Sequence, residues 1–187
     1  MRLTKPRIQP LSDDQLDADQ VEALKDFQPG PILNIFRTLV RAPKALTRFN
    51  AWGGYVLSRR NDLPSREREI VILRIGYLCK SGYEWTQHHR IGLREGLTAE
   101  EIERIKAGAG AGWGAADAAL IKAADELHDD QFVTDATWAE LKAHFSDKQC
   151  MDVVFTAAQY TQVSMMLNTF GVQLDAGQTL DPDLKGF

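Results

Sequence analysis

Residues 65–89 carry the sequence SREREIVILRIGYLCKSGYEWTQHH, and this stretch decides the fold. Its first half, Ser65–Leu78, opens with charged helix formers and continues into the dense apolar run Ile70–Ile75. A short apolar run of this kind is also typical of a buried strand. We predict a helix, because the flanking residues favour helix and no second strand pattern is available to pair with the run.

The second half, Cys79–His89, concentrates reactive side chains. It holds two of the four histidines, one of the two cysteines and one of the four tryptophans. Lys80–Gly82 break the first helix, and a second helix is predicted over Tyr83–Arg94. If the chain reverses at this break, Glu69 lies ~12 Å before the end of the first helix and His88 ~9 Å after the start of the second. We therefore expect Glu69 and His88 to be neighbours.

The rest of the chain has the pattern of amphipathic helices, with apolar residues recurring at spacings of three and four. Capping boxes at Thr98 and Ser146 mark two helix starts. The glycine-rich run at 108–114 lacks the Gly-Lys-Ser/Thr ending of a phosphate loop and is interpreted as a linker. The further predicted helices are Ala18–Phe27, 31–40, Lys44–Arg59, Thr98–Lys106, Ala115–Asp129, Ala136–His144 and Ser146–Asn168. The predicted fold class is all-α, a bundle of seven or eight helices.

A chain of 187 residues usually forms one domain. Residues 1–30 are polar and interrupted by three prolines and a glycine, so we predict an N-terminal arm that lies along the body or along a neighbouring subunit. Residues 31–187 are predicted to form a single helical domain, and the polar tail after Gly171 to be loosely specified. The pair Gly53-Gly54 is costly inside a helix, which predicts close approach of another helix or a bend.

Composition excludes several classes of partner. The net charge of −4 gives no basic footprint, so nucleic acid is not expected. No apolar run approaches the ~20 residues of a membrane helix, and the N-terminus lacks the apolar region of a signal peptide. Two cysteines far apart in sequence form neither a disulfide framework nor a zinc ribbon. This use of cysteine fits a reducing compartment, so we expect a cytoplasmic protein.

The helix after the break offers acid/base chemistry. Glu84 lies one turn before His88, where a carboxylate can hold an imidazole tautomer and form a general acid/base pair near pH 7. Ser81 falls on the same stripe and adds a hydroxyl, while Tyr83 and Trp85 supply a phenol donor and an apolar wall. The alternative interpretation is that Glu84 and His88 form a surface pair that only stabilises the helix, by about a few tenths of a kcal/mol.

The same helix carries three side chains of types that bind metal ions, Glu84, His88 and His89. His89 points about 100° away from His88, which leaves Glu84 and His88 as two ligands only. We therefore predict no metal and no other cofactor.

The motifs together resemble a known family. Arg68-Glu69-Ile-Val-Ile-Leu, then Ser81-Gly-Tyr-Glu-Trp85 and His88, followed by Gly96-Leu-Thr-Ala-Glu-Glu-Ile, are similar to the carboxymuconolactone decarboxylase and alkylhydroperoxidase D family. The resemblance is best over 43–108, with a weaker echo over 160–168. It implies an all-α fold and assembly as a homotrimer or homohexamer. In the peroxidase branch a Cys-x-x-Cys pair precedes the histidine, and here Ser81 and Glu84 stand at those two positions.

The missing cysteine pair favours the decarboxylase branch, which uses no cofactor. The resemblance implies that His88 transfers the proton, Glu84 orients it, Glu69 completes the relay, and Ser81 with Tyr83 holds the oxygens of a small organic acid or lactone. Trp85 and Cys79 are expected beside the substrate. Two alternatives remain open: peroxide reduction through Cys79 alone, and a non-catalytic oligomeric helical protein.

Overall fold

The computed structural model describes all 187 residues, and its regular structure is helical throughout. The prediction of an all-α fold is confirmed. There are nine α-helices, one more than the upper estimate of eight, and each corresponds to one of the segments predicted above. They are α1 (Ala18–Leu24), α2 (Asn34–Leu39), α3 (Pro43–Val56), α4 (Ser65–Leu78), α5 (Gly82–Arg94), α6 (Ala99–Lys106), α7 (Ala115–Asp129), α8 (Asp135–Lys142) and α9 (Asp147–Phe170).

Helix α4 forms the centre of the bundle. It packs against α5, α7 and α9, which explains why its middle is apolar on every side. The strand alternative for this run is wrong. The apolar side chains with no exposed surface on this helix are Ile70, Val71, Ile72, Leu73 and Ile75.

A tight turn reverses the chain between α4 and α5. The backbone N–H of Ser81 donates to the carbonyl of Gly76 at 2.9 Å, and Lys80 takes the left-handed conformation with φ 54°. This is the hydrogen-bond pattern that closes many helix C-termini. The two helices are in close contact at Gly76, where a Cβ would lie at van der Waals distance, 3.6 Å, from the side chain of Glu84. The predicted reversal is confirmed.

Both chain ends lie along the body of the bundle. In the arm, Arg7 donates from its backbone to Phe170, and Leu11 donates to Arg37. The tail is more ordered than expected, since the side chain of Leu184 is fully buried. The prediction of a loosely specified tail is therefore wrong, because its apolar and acidic residues find partners on α5 and α6.

The glycine pair of α3 has a different role from the one expected. A Cβ on Gly54 would meet no atom within 4 Å, and a Cβ on Gly53 would lie 3.4 Å from the amide nitrogen of Gln159. No other helix backbone comes close at either position. The glycines instead leave open space beside α9.

The helices were also compared with the length and hydropathy of a membrane span. Each of them is too short or too polar to be one.

Candidate functional site

A histidine between two carboxylates lies at the interface of α4 and α5. Nδ1 of His88 lies 2.7 Å from Oε2 of Glu69, and Nε2 lies 3.0 Å from Oε1 of Glu84. All three residues are buried, with 1% to 5% of their surface exposed. Glu69 comes from the central helix, and the other two are one turn apart on α5. The predicted convergence of Glu69, Glu84 and His88 is thus present.

The two carboxylates control the protonation of His88. Burial alone would lower its pKa, because a buried imidazolium loses its hydration. The negative charges of Glu69 and Glu84, together with their hydrogen bonds to the ring, outweigh burial and raise the pKa of His88 to about 10. His88 is therefore an imidazolium at neutral pH. Its charge compensates two carboxylates that would otherwise be buried without a cation.

Glu84 and His88 open onto a pocket of about 430 Å³, within the usual size range for small-molecule sites. Helices α2, α3, α5 and α9 form its walls, and Phe27 of the N-terminal arm contributes to its edge. Ten of the eighteen lining residues are hydrophobic. The other apolar side chains include Leu33, Ile35, Phe36, Phe49, Leu57, Ile91 and Val163.

The pocket has an acidic and apolar lining. Glu84 and the exposed Asp26 are its acidic members, and His88 is its only basic one; no lysine or arginine lines it. The buried guanidinium of Arg68 does not line the pocket, since it donates to the carbonyl of Ser58 and the hydroxyl of Ser65. The charge on the pocket wall is therefore negative overall.

Two polar residues of α9 complete the site, and the sequence interpretation did not assign them a role. Gln159 is 3% exposed, and its side-chain oxygen has no hydrogen-bond partner. The ring of Tyr160 meets the ring of His88 edge-on at 4.9 Å, and its hydroxyl makes no hydrogen bond within the chain. Burial, then the charges of Glu84 and Glu69, raise the pKa of Tyr160 well above its usual value. The only sequence signal for this wall was a weak echo of the family over 160–168.

Tyr83 is the other predicted residue that reaches the pocket. Its ring lines the wall, but its hydroxyl donates to Asp175 of the tail at 2.7 Å. The side chain of Gln87 donates to the same carboxylate at 2.7 Å. Burial and this carboxylate raise the pKa of Tyr83 far above its usual value, so its proton stays on the phenol. Tyr83 therefore positions the tail against α5.

Besides the buried Glu69, which reaches the pocket only through His88, three predicted site residues lie outside the pocket. Ser81 is fully buried as the residue before α5, and its hydroxyl has no partner. Because it precedes the helix, it does not share the stripe of Glu84 and His88. Trp85 donates its indole N–H to Asp181 at 3.0 Å and belongs to the core. Cys79 lines a separate cleft beneath the N-terminal arm, and burial raises the pKa of its thiol.

No group of three or more His, Cys, Asp or Glu side chains in the structure is arranged to hold a metal ion. Both nitrogens of His88 face carboxylates, so neither is directed at an open coordination position. The chemistry that this arrangement can supply is proton transfer through Glu84 and hydrogen bonding through Tyr160.

The family model of the carboxymuconolactone decarboxylase family matches residues 43–126, which include Glu69, Glu84 and His88. Residues 43–126 are a carboxymuconolactone decarboxylase family segment. The matched segment runs from α3 into α7 and so contains the whole α4–turn–α5 unit. The walls contributed by α9 and by the N-terminal arm lie outside it. No curated protein sequence matches the chain.

Solved structures share the fold of this chain. An uncharacterized peroxidase-related protein from Ralstonia eutropha JMP134, described as an alkylhydroperoxidase AhpD core, superposes with a TM-score of 0.80 at 19% identity over 91% of this chain and 93% of that chain. A peroxidase-related protein from Silicibacter sp. TM1040 gives 0.73 at 15% identity over 94% and 92%. The debrominase Bmp8 in complex with 2,3,4-tribromopyrrole gives 0.71 at 12% identity over 92% and 94%.

Proposed function

We propose that this protein is a cofactor-free acid/base enzyme that moves a proton at a carbon next to a carbonyl group of a small lactone-like molecule. The observation that carries the proposal is the Glu69–His88–Glu84 relay, which ends at the wall of an otherwise apolar pocket. The family match supports an enzyme of this kind. The decarboxylation of a lactone acid is the narrower reaction that the family name suggests.

In the proposed reaction Glu84 is the base. Its carboxylate removes the proton, and the electron pair of the C–H bond moves onto the carbonyl oxygen to form an enolate. The free hydroxyl of Tyr160 is available to donate a hydrogen bond to that oxygen, where negative charge develops. Glu84 then returns the proton to a different carbon or to the oxygen. His88 and Glu69 hold Glu84 in place and compensate its charge throughout.

The thiol alternative has less support. Cys79 lines a different cleft, and burial favours its protonated form, whereas peroxide chemistry requires an accessible thiolate. The other cysteine, Cys150, is fully buried on α9. Neither thiol lines the pocket that contains Glu84 and His88.

Proton exchange tests the proposal directly. We expect the protein to catalyse deuterium incorporation next to the carbonyl of an unsaturated γ-lactone in D₂O, followed by NMR. Glu84→Gln should slow this exchange about 10²-fold or more, the usual contribution of a positioned general base. The matched control is Glu67→Gln, on the first turn of α4 beside Arg66, which should exchange at the wild-type rate. Equal rates in Glu84→Gln and wild type would exclude Glu84 as the base.

We also propose that the chain self-associates as a homotrimer or homohexamer. Support comes from an apolar patch formed by Trp52, Met151 and Phe155 on α3 and α9. The indole of Trp52 is 41% exposed and meets the ring of Phe155 edge-on at 5.4 Å, and Met151 is 51% exposed. Trp52→Glu should shift the mass measured by light scattering towards that of a monomer; an unchanged mass would place the interface elsewhere.

A further inference from the structure

The buried end of the pocket contains Glu84, Gln159 and Tyr160, which are only 3% to 4% exposed. Two other polar lining residues, Asp26 and Asn50, also line a neighbouring surface cleft, so they lie at the mouth of the pocket. The amide of Asn50 can both donate and accept a hydrogen bond, and it therefore adds no preference for one kind of ligand. The preference of the pocket is set by the groups at its buried end.

The amide nitrogen of Gln159 is a free donor in this part of the pocket. The side-chain oxygen is fully enclosed, whereas Nε2 keeps accessible surface and makes no hydrogen bond within the chain. Gly53, which also lines the pocket, has no side chain to cover this nitrogen, and a Cβ there would lie 3.4 Å from it. The part of Gln159 that a ligand can reach is therefore its NH₂ group, which only donates.

The hydroxyl of Tyr160, the next residue on α9, is a second free donor. It makes no hydrogen bond within the chain and is not one of the fully enclosed atoms. Burial, then the charges of Glu84 and Glu69, raise the pKa of Tyr160 well above its usual value, so the phenol keeps its proton. The ring nitrogens of His88 already face these two carboxylates. A ligand at the buried end therefore meets two donors from α9 and one acceptor, the carboxylate of Glu84.

An uncharged carbonyl compound satisfies both donors. A carbonyl oxygen has two lone pairs and can accept two hydrogen bonds at once. A ligand carboxylate would also accept them, but it would bring a second negative charge towards Glu84 in a pocket that no lysine or arginine lines. The mostly aromatic and aliphatic walls suit the apolar remainder of such a molecule.

We propose that Gln159 is a second carbonyl-binding residue of this site, whose Nε2–H donates together with the hydroxyl of Tyr160 to the carbonyl oxygen of an uncharged lactone. The inference rests on the proposed function, because it names the groups that hold that substrate. With the oxygen bound to α9, the neighbouring carbon is directed towards Glu84 on α5. When Glu84 removes the proton, negative charge develops on an oxygen that already has two donors.

Equilibrium binding of two small ring compounds tests the inference. Phthalide is an aromatic γ-lactone with no proton on the carbon next to its carbonyl, so it cannot undergo the proposed reaction. Phthalan has the same ring system without the carbonyl oxygen. Isothermal titration at pH 7 measures the Kd of each compound. We expect the wild type to bind phthalide at least about 10-fold more tightly than phthalan, because only phthalide accepts the two hydrogen bonds.

Variants assign this preference to residues. Gln159→Met keeps the length of the side chain without its donor, and it should reduce the preference for phthalide about 3- to 10-fold, the usual effect of one hydrogen bond. Gln159→Leu repeats the test with a shorter side chain that cannot reach as far into the pocket. Tyr160→Phe should reduce the preference by a similar factor. Binding of phthalan should stay close to that of the wild type, which shows that the pocket is intact. The control is Gln162→Leu, an exposed glutamine on α9, which should keep the wild-type ratio.

Three results would overturn the inference. They are no saturable binding of phthalide to the wild type, equal binding of the two compounds to the wild type, and an unchanged ratio in both Gln159 variants. Phthalide does not react, so these ratios are independent of the proton-exchange assay. A wild type with the expected ratios but no proton exchange would remove the proposed reaction and leave the carbonyl site. Proton exchange in the wild type with an unchanged ratio in both variants would keep the reaction and remove Gln159 from it.

Discussion

The charge state of His88 makes the stability of the fold depend on pH in a window where few other side chains titrate. The pKa of His88 rises from 6.5 to about 10 on folding, because Glu69 and Glu84 outweigh burial. A pKa raised in the folded state contributes stability that is fully present below pH 6.5 and is lost as the pH rises through about 10. Each unit of pKa difference corresponds to about 1.4 kcal/mol, so the whole contribution is about 5 kcal/mol.

Urea unfolding at pH 7, 8 and 9, followed by circular dichroism at one protein concentration, measures this contribution. Between pH 7 and pH 9 the titration of His88 should lower the free energy of unfolding by about 2 to 3 kcal/mol. The double variant Glu69→Gln, Glu84→Gln should lose this fall, since burial without the carboxylates lowers the pKa of His88. Each single variant should show a fall in the free energy of unfolding that is between that of the wild type and that of the double variant.

The control for this experiment is Glu140→Gln, which removes a carboxylate from an exposed pair with Lys122. It should keep the wild-type pH dependence, because exposed ion pairs contribute little. Burial lowers the pKa of the N-terminal amine, but this group is common to all the variants and cancels in the comparison. If the wild type and the double variant lost the same free energy between pH 7 and pH 9, the assignment of an imidazolium to the relay would be refuted.

Three further substitutions test the fold by the same unfolding measurement at pH 7. Gly54→Ala should raise the free energy of unfolding by about 1 kcal/mol, because alanine favours helix and its Cβ meets no atom within 4 Å; a decrease would contradict this. Trp85→Phe should lower it by about 1 kcal/mol through loss of the bond to Asp181, and no change would mean that water replaces this bond. Asp152→Asn should lower it by about 2 kcal/mol, because the buried carboxylate accepts from Tyr55 at 2.7 Å. Burial raises the pKa of Asp152, but its hydrogen bonds outweigh burial and lower it. The stability that this carboxylate contributes is therefore present above its pKa in the unfolded chain and is lost as the pH falls through its pKa in the folded protein. Asp152→Asn should accordingly lose less stability in acid than the wild type.

Local signals predicted the helices well, because periodicity and capping act over one or two turns. The bounds of α4 and of α7 were predicted as observed, and the capping boxes at Thr98 and Ser146 begin α6 and α9 as expected. Where local reasoning failed, tertiary contacts decided. The tail after Gly171 looks unspecified in isolation and becomes ordered through Asp175 and Asp181, whose partners are on α5 and α6.

The candidate site divides in the same way. The sequence was sufficient to predict that Glu69, Glu84 and His88 are neighbours. One reversal between two adjacent helices fixes how far each residue lies from the turn along the helix axes. The sequence could not predict whether Trp85 faces the pocket or the core. It follows Glu84 directly, so the two side chains are only about 100° apart around α5, and the direction of the indole depends on which elements pack against that side of the helix. Its indole faces Asp181 and the ammonium of Lys106, away from the pocket.

The sequence by itself determined the central helix, the reversal after Leu78 and the relay around His88, because each depends on residues close together along the chain. The pocket is a product of tertiary structure alone. Gln159 and Tyr160 reach it from a helix some seventy residues further along, and Phe27 reaches it from the N-terminal arm. No periodicity or spacing links such distant residues. Packing places the side chain of Gln159 and the free phenol of Tyr160 in the same pocket wall as Glu84, because α9 lies against α5 only in the folded bundle.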